Sequence, residues 1–263
     1  VAGKPAPTPS FGDPLAPAAG APLGDGKTPI GQTAVIVEPD LPPAIMYTIL
    51  RPWRQVDDTI VYNQGLMTDA LAQAVINRRL ESKARLGGSF LTAQVSQQDV
   101  ARSVDGTYVS ITPMGDNWRG ALRDVRAVIA DALTRAPTQE EIDRELAELD
   151  LAFQVPVEQR RLLPGAKLAD DLVNALDIRE TVASPEAVLQ IFRDSKSLFT
   201  PAAVLKHTQQ LFEGTVSRGV FITQKAGGVN ETALREALAE TVKPDDQVRL
   251  AEGPPVSFET LPV

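Results

Sequence analysis

The sequence predicts an α+β fold, a mainly antiparallel β-sheet with several helices packed on one side of it. Three observations predict it. Short runs in which apolar and polar residues alternate come in pairs, one pair within 33–53 and a second within 89–114. The segments between and after them repeat apolar residues every three or four positions, as amphipathic helices do. Caps, glycines or prolines stand where one period gives way to the other.

The N-terminal residues 1–29, VAGKPAPTPSFGDPLAPAAGAPLGDGKTP, hold too few large apolar side chains to offset the entropy cost of ordering, and read as a Pro/Ala/Gly-rich linker. Such a linker raises the expectation of a longer polypeptide. TAVIVEP and AIMYTILRPW, Thr33 to Pro39 and Ala44 to Trp53, read as neighbouring strands joined by the turn Asp40-Leu41-Pro42-Pro43. From an N-cap at Asp57, the spacing of Ile60, Met67, Leu71, Val75, Ile76 and Leu80 predicts a helix of about six turns. Gly87-Gly88 stops it, and SFLTAQVSQ and GTYVSITPM form the second strand pair.

A second helix starts at Asp116 or Asn117, carries Trp118, Leu122, Val125, Ile129 and Leu133 on one face, and ends by Pro137. In TQEEIDRELAELDLAF, Thr138 and Glu141 stand at capping-box spacing, with Ile142, Leu146, Leu149 and Phe153 as the apolar stripe. Its acidic residues read as a solvated face and favourable first-turn charge rather than a metal site. Pro156 and Pro164 interrupt the next segment. Ser184-Pro185 and Thr200-Pro201 open two further helices, each a cap with proline at the first helical position. A last strand, SRGVFITQK, and a helix from Asn230 to about Thr241 precede a Pro-rich tail.

Composition bounds the function. The 263 residues are 43% hydrophobic, enough for a sizeable core, and the net charge of −8 argues against nucleic acid or an anionic membrane as partner. No apolar run approaches the roughly 18 residues of a membrane span. With no cysteine, disulfides, thiolate zinc sites and cysteine nucleophiles are excluded. The single histidine, His207, sits beside a stripe of Val204, Leu205, Leu211 and Phe212 and reads as a core-edge side chain. No nucleophile elbow accompanies it, so a Ser-His-Asp triad has no support. Gly87-Gly88 follows a helix instead of feeding one, which is the wrong order for a phosphate cradle, and Ala226-Gly227-Gly228 lacks the rest of a nucleotide fingerprint. Thirty-four carboxylates leave a carboxylate-only hydrolase open without singling out a pair.

Three segments carry a resemblance: SFGDPLAP, VINRRLESKARLGGSFLTAQ and TQEEIDRELAEL, in that order. Together they resemble the insulinase/pitrilysin family of zinc peptidases, which includes the mitochondrial processing peptidases. The resemblance spans roughly Ile30 to Thr241 and implies a metallopeptidase-like α/β sandwich domain over 30–245, with a C-terminal linker over 246–263. The family's zinc signature is His-x-x-Glu-His with a downstream glutamate. One histidine cannot supply it. The resemblance therefore implies a non-catalytic domain, with no cofactor in this chain, zinc in a catalytic domain of the same polypeptide or of a partner subunit, and a peptide substrate enclosed between them. It also implies a periplasmic location. The alternative it leaves open is a free-standing inactive peptide-binding or assembly subunit paired with an active peptidase. Near the zinc-bound substrate the family uses an arginine and a tyrosine, in a segment like ESKARLGGSF. Lys83 or Arg85 stands at the arginine's place, and Phe90, without a hydroxyl, at the tyrosine's. Arg78, Arg79, Lys83, Arg85 and Phe90 are accordingly the candidate peptide-chamber residues, on a helix-to-strand corner whose basic side chains are expected to face solvent or a neighbouring domain.

Overall fold

The computed structural model describes residues 15–17, 20–162, 164–177 and 181–249. Most of the expected N-terminal linker and residues 250–263 of the expected C-terminal one lie outside the described residues. The strands β1 (Ile30–Val37), β2 (Ala44–Pro52), β3 (Phe90–Val100), β4 (Val104–Pro113) and β5 (Val216–Thr223) form one sheet in the order β1-β5-β2-β4-β3. Every pairing is antiparallel except β1 with β5. The fold is α+β, as the alternating patterns imply.

One expectation fails inside the sheet. β1 and β2 are not neighbours, because β5 lies between them and pairs with both. The six residues 38–43 are long enough to step across two inter-strand spacings, about 10 Å, which a tight hairpin turn is not. A Cβ at Gly219 in β5 would stand 2.7 Å from the Leu238 side chain of the last helix, so a larger residue there would require that leucine to shift.

One face of the sheet is covered. Its cross-strand rows Val35-Phe221-Ile45-Ile111-Ala93 and Thr33-Gly219-Tyr47-Val109-Val95 pack under the helices. Across it runs α1 (Ile60–Arg85), capped by Thr59, whose hydroxyl accepts from Tyr62 N, rather than by Asp57. Leu71, Val75, Ile76 and Leu80 are all but fully buried, each contributing roughly 1.5–3 kcal/mol. Gly87, at φ 89°, ends the helix as a left-handed stop, and β3 begins three residues later. Next come α2 (Trp118–Thr134), capped by Asn117, and α3 (Gln139–Gln159), whose Thr138–Glu141 capping box is formed in both directions. Pro156 does not interrupt α3, which continues to Gln159. A proline so near a helix end removes one hydrogen bond of the last turns, and the fold absorbs that cost.

The remaining helices are α4 (Gly165–Asp177), α5 (Pro185–Asp194) capped by Ser184, α6 (Pro201–Leu211) capped by Thr200, and α7 (Glu231–Ala239) capped by Asn230. Both outer segments read as linker include residues that belong to the domain. Asp25 accepts from the Tyr47 hydroxyl at 2.8 Å and from Arg126 at 3.1 Å, and the Thr28 hydroxyl donates to Phe212 O. At the other end Val248 is buried and Arg249 reaches Asp131 at 2.6 Å. Buried charge pairing, which local composition does not reveal, draws these residues in.

Candidate functional site

The basic corner singled out in the sequence is built mainly from intramolecular ion pairs. Arg79, 3% exposed, forks onto Glu141 of α3 with Nε and Nη2 at 2.7 and 2.9 Å, and its Nη1 lies 3.3 Å from Asp131 of α2. Arg78 binds Glu145 at 3.0 Å and also Glu148. Lys83 holds Asp245 at 2.7 Å. Phe90 is fully buried beneath α1 and α2, while Arg85 is exposed. The expectation that the basic side chains face solvent or a neighbour is thus corrected for Arg79, whose guanidinium turns inward onto two carboxylates. On α3, Glu140, Asp143 and Glu148 are exposed as expected, whereas Glu141 and Glu145 depart from the solvated face. Glu141 and Glu145 form a charged seam against α1 instead of a solvated surface.

The seam sets two carboxyl groups, one helical turn apart, in opposite directions. Burial alone would raise Glu141, but the hydrogen-bonded Arg79 guanidinium outweighs it and holds the group below the ordinary glutamate range. For Glu145 burial prevails over Arg78, and the pKa is raised. Among the described residues no cluster of three or more His, Asp and Glu is arranged to hold a metal ion. His207 Nδ1 lies 2.7 Å from Asp69, joining α6 to α1 at the core edge where the sequence places it.

The opposite face of the sheet has a different character. Its rows read Ala34-Val220-Met46-Ser110-Gln94 and Arg218-Thr48-Tyr108-Ser96, with Ile36 beside Ile222 and Thr92 beside Thr112 further along. Arg218 is the one charge in these rows. Antiparallel sheets that face water usually carry polar and charged side chains on that side. Here Met46 and Ile36 are 39% and 45% exposed, and depressions of about 590 and 580 Å³ lie on either side of Met46. The first borders β3, the sheet's outer strand, at Leu91, Thr92 and Ala93. Asn77 of α1 closes part of that edge, accepting from Val95 N at 2.7 Å and donating to Val95 O at 3.0 Å. Ala93, which shares the outward register of Val95, has no strand on its outer side among the described residues, and Leu91 falls at a break in the β3–β4 register between Phe90 and Thr92. The arrangement suits an extended chain, with a partly open strand edge next to a grooved surface whose strand rows carry one charge. Glu81 borders one depression, and Arg218, Glu231 and Arg235 border the other.

This open face is the part of the site that sequence reasoning missed. A signal for it exists in AIMYTIL, TYVSITP and VFIT, where the positions alternating with the core residues hold no charge.

The fold that these layers define is that of the insulinase-type α/β peptidase domains. Among solved structures, the first half of the periplasmic protease PqqL from Escherichia coli superposes with a TM-score of 0.69 over 80% of this chain and 47% of that one, at 15% identity. A predicted insulinase family protease from Yersinia pestis gives 0.65 over 81% and 46%, at 11% identity. A peptidase M16 inactive domain from Pseudomonas fluorescens gives 0.51 over 75% and 45%, at 17% identity. The chain therefore spans about half the length of these structures. No protein-family model and no curated protein matches the sequence.

Proposed function

We propose that the chain is a non-catalytic domain of a zinc-dependent peptidase, which helps to enclose an extended peptide and to hold the catalytic domain. The observation that carries this reading is the open sheet face around Met46 and Val220, whose strand rows hold one charge, Arg218, and which ends at the outer edge of β3. Main-chain groups of β3 at Ala93 supply affinity for an added strand, and the two depressions take alternate side chains. The zinc ligands and the activated water belong to the catalytic domain, because a single histidine cannot form the His-x-x-Glu-His site. Of the five candidate chamber residues, Arg85 is the exposed one. A periplasmic setting is proposed with it, since PqqL is named a periplasmic protease. Among the described residues no helix is long and apolar enough to cross a membrane.

The inactive M16 domain from Pseudomonas fluorescens supports a second reading, in which the chain is a free-standing inactive subunit with an active partner. Both readings place the peptide on the same face. Fluorescence anisotropy with a labelled, unstructured peptide tests it: the purified chain is expected to bind without cleaving, and Met46→Glu with Val220→Glu to abolish binding. Cleavage by the chain alone in the presence of a chelator would overturn the proposal in favour of a carboxylate hydrolase.

A further inference from the structure

α4 stands apart from the rest of the fold. Among the described residues no strand or other helix packs extensively along it, and nearly all of its residues whose burial is described are exposed. Leu168, Leu172 and Leu176 nonetheless recur at i, i+4 and i+8, and Val173 widens the stripe; they are 44%, 45%, 71% and 65% exposed. At 100° per residue, Ala169 and Ala175 fall on the same half of the helix. A contiguous apolar face of this kind on a soluble protein marks an interaction site. A helix of 13 residues is also marginal in water by itself. Its i,i+4 ion pair, Lys167 to Asp171, runs in the less favourable order and offers little support.

Charge indicates what covers the face. Asp170 lies along one border of the stripe, next to Val173, and Asp171, paired with Lys167, along the other, next to Ala175. Lys167 stands on the polar side. An acidic border repels an anionic lipid surface, which selects amphipathic helices with basic flanks. A second copy would set like charges against each other, on a chain that already carries a net −8. We infer that α4 is a docking helix for a partner polypeptide, which presents an amphipathic helix with a leucine-type apolar face flanked by Lys and Arg. The inference does not depend on the peptide-wall reading of the sheet, which lies on other elements.

The probe is a labelled, hydrocarbon-stapled helix with leucines along one face and arginines at its flanks, titrated with the full chain and compared with the same helix carrying glutamates. The chain is expected to prefer the basic probe by about ten-fold or more at low salt, with the preference shrinking as salt screens the charges. Asp170→Lys with Asp171→Lys should reverse the preference, and Leu172→Asp should abolish binding of both probes. The substituted side chains are exposed, so circular dichroism should show the fold retained. Equal affinity for the two probes, or binding that survives Leu172→Asp, would overturn the proposal. So would a doubled mass in light scattering, or attachment to anionic vesicles, if Leu172→Asp removed either.

Discussion

The guanidinium of Arg79 lies 3.3 Å from the carboxylate of Asp131, with both groups inside the protein and Asp131 fully out of solvent. The pair joins α1 to α2. Arg79 also forks onto Glu141 of α3, and Arg249 binds Asp131 from the C-terminal side. One buried cluster thus holds together three helices and the last described residues.

Removing Arg79 should be severe, because Glu141 loses its guanidinium partner and the fully buried Asp131 is left to Arg249 and Arg135. Arg79→Met is expected to lose about 3–5 kcal/mol in urea unfolding, somewhat less if Arg249 compensates Asp131. Arg79→Lys should recover only part of this, since an ammonium cannot form the two-pronged contact with Glu141. A loss under about 0.5 kcal/mol would show that the cluster does not hold the helices.

The opposite shifts of Glu141 and Glu145 give opposite pH dependences. Glu141 has a lowered pKa, so the stability it contributes is present above the unfolded value and lost as pH falls through the folded one. Glu145 has a raised pKa, so its protonated form is favoured by folding and stability is lost as pH rises through the folded value. Unfolding free energies at neutral and acidic pH should show Glu141→Gln costing most at neutral pH and converging on wild type in acid. The advantage of Glu145→Gln over wild type should likewise be greatest at neutral pH. Parallel pH curves for the two variants would contradict the assignment.

Residues 22–29 should behave as part of the domain. Gly26 has φ 61°, and a Cβ there would fall 2.0 Å from the carbonyl oxygen of Phe212, so Gly26→Ala cannot be accommodated without moving backbone. It is expected to destabilise by more than about 2 kcal/mol. Tyr47→Phe should cost about 1–2 kcal/mol by removing a partly buried charge-assisted bond to Asp25. Thermal denaturation of both variants checks this, and wild-type-like melting of Gly26→Ala would show the segment to be detached.

What the sequence reveals and what it hides have a physical cause. Local signals are legible: the Thr138–Glu141 box, the Ser184-Pro185 and Thr200-Pro201 starts and the Gly87 stop depend on neighbours within a few residues. Long-range choices are not. That β5 inserts between β1 and β2 follows from pairings made across most of the chain, and nothing in TAVIVEP or AIMYTIL announces them. Arg78 and Arg79 look solvent-facing until α3 brings Glu145 and Glu141 against them from more than sixty residues away. The open face is foreshadowed by the uncharged alternate positions of β2 and β4 and of β5 beyond Arg218, but only the strand order shows that those positions form one surface.

Hydrogen–deuterium exchange of the chain with and without excess unstructured peptide tests that surface most directly. Protection is expected at β3 around Leu91 and Ala93 and along β2 near Met46, with α4 unchanged. Protection confined to the helices, with β2 and β3 exchanging as in the free chain, would contradict a peptide-binding sheet face.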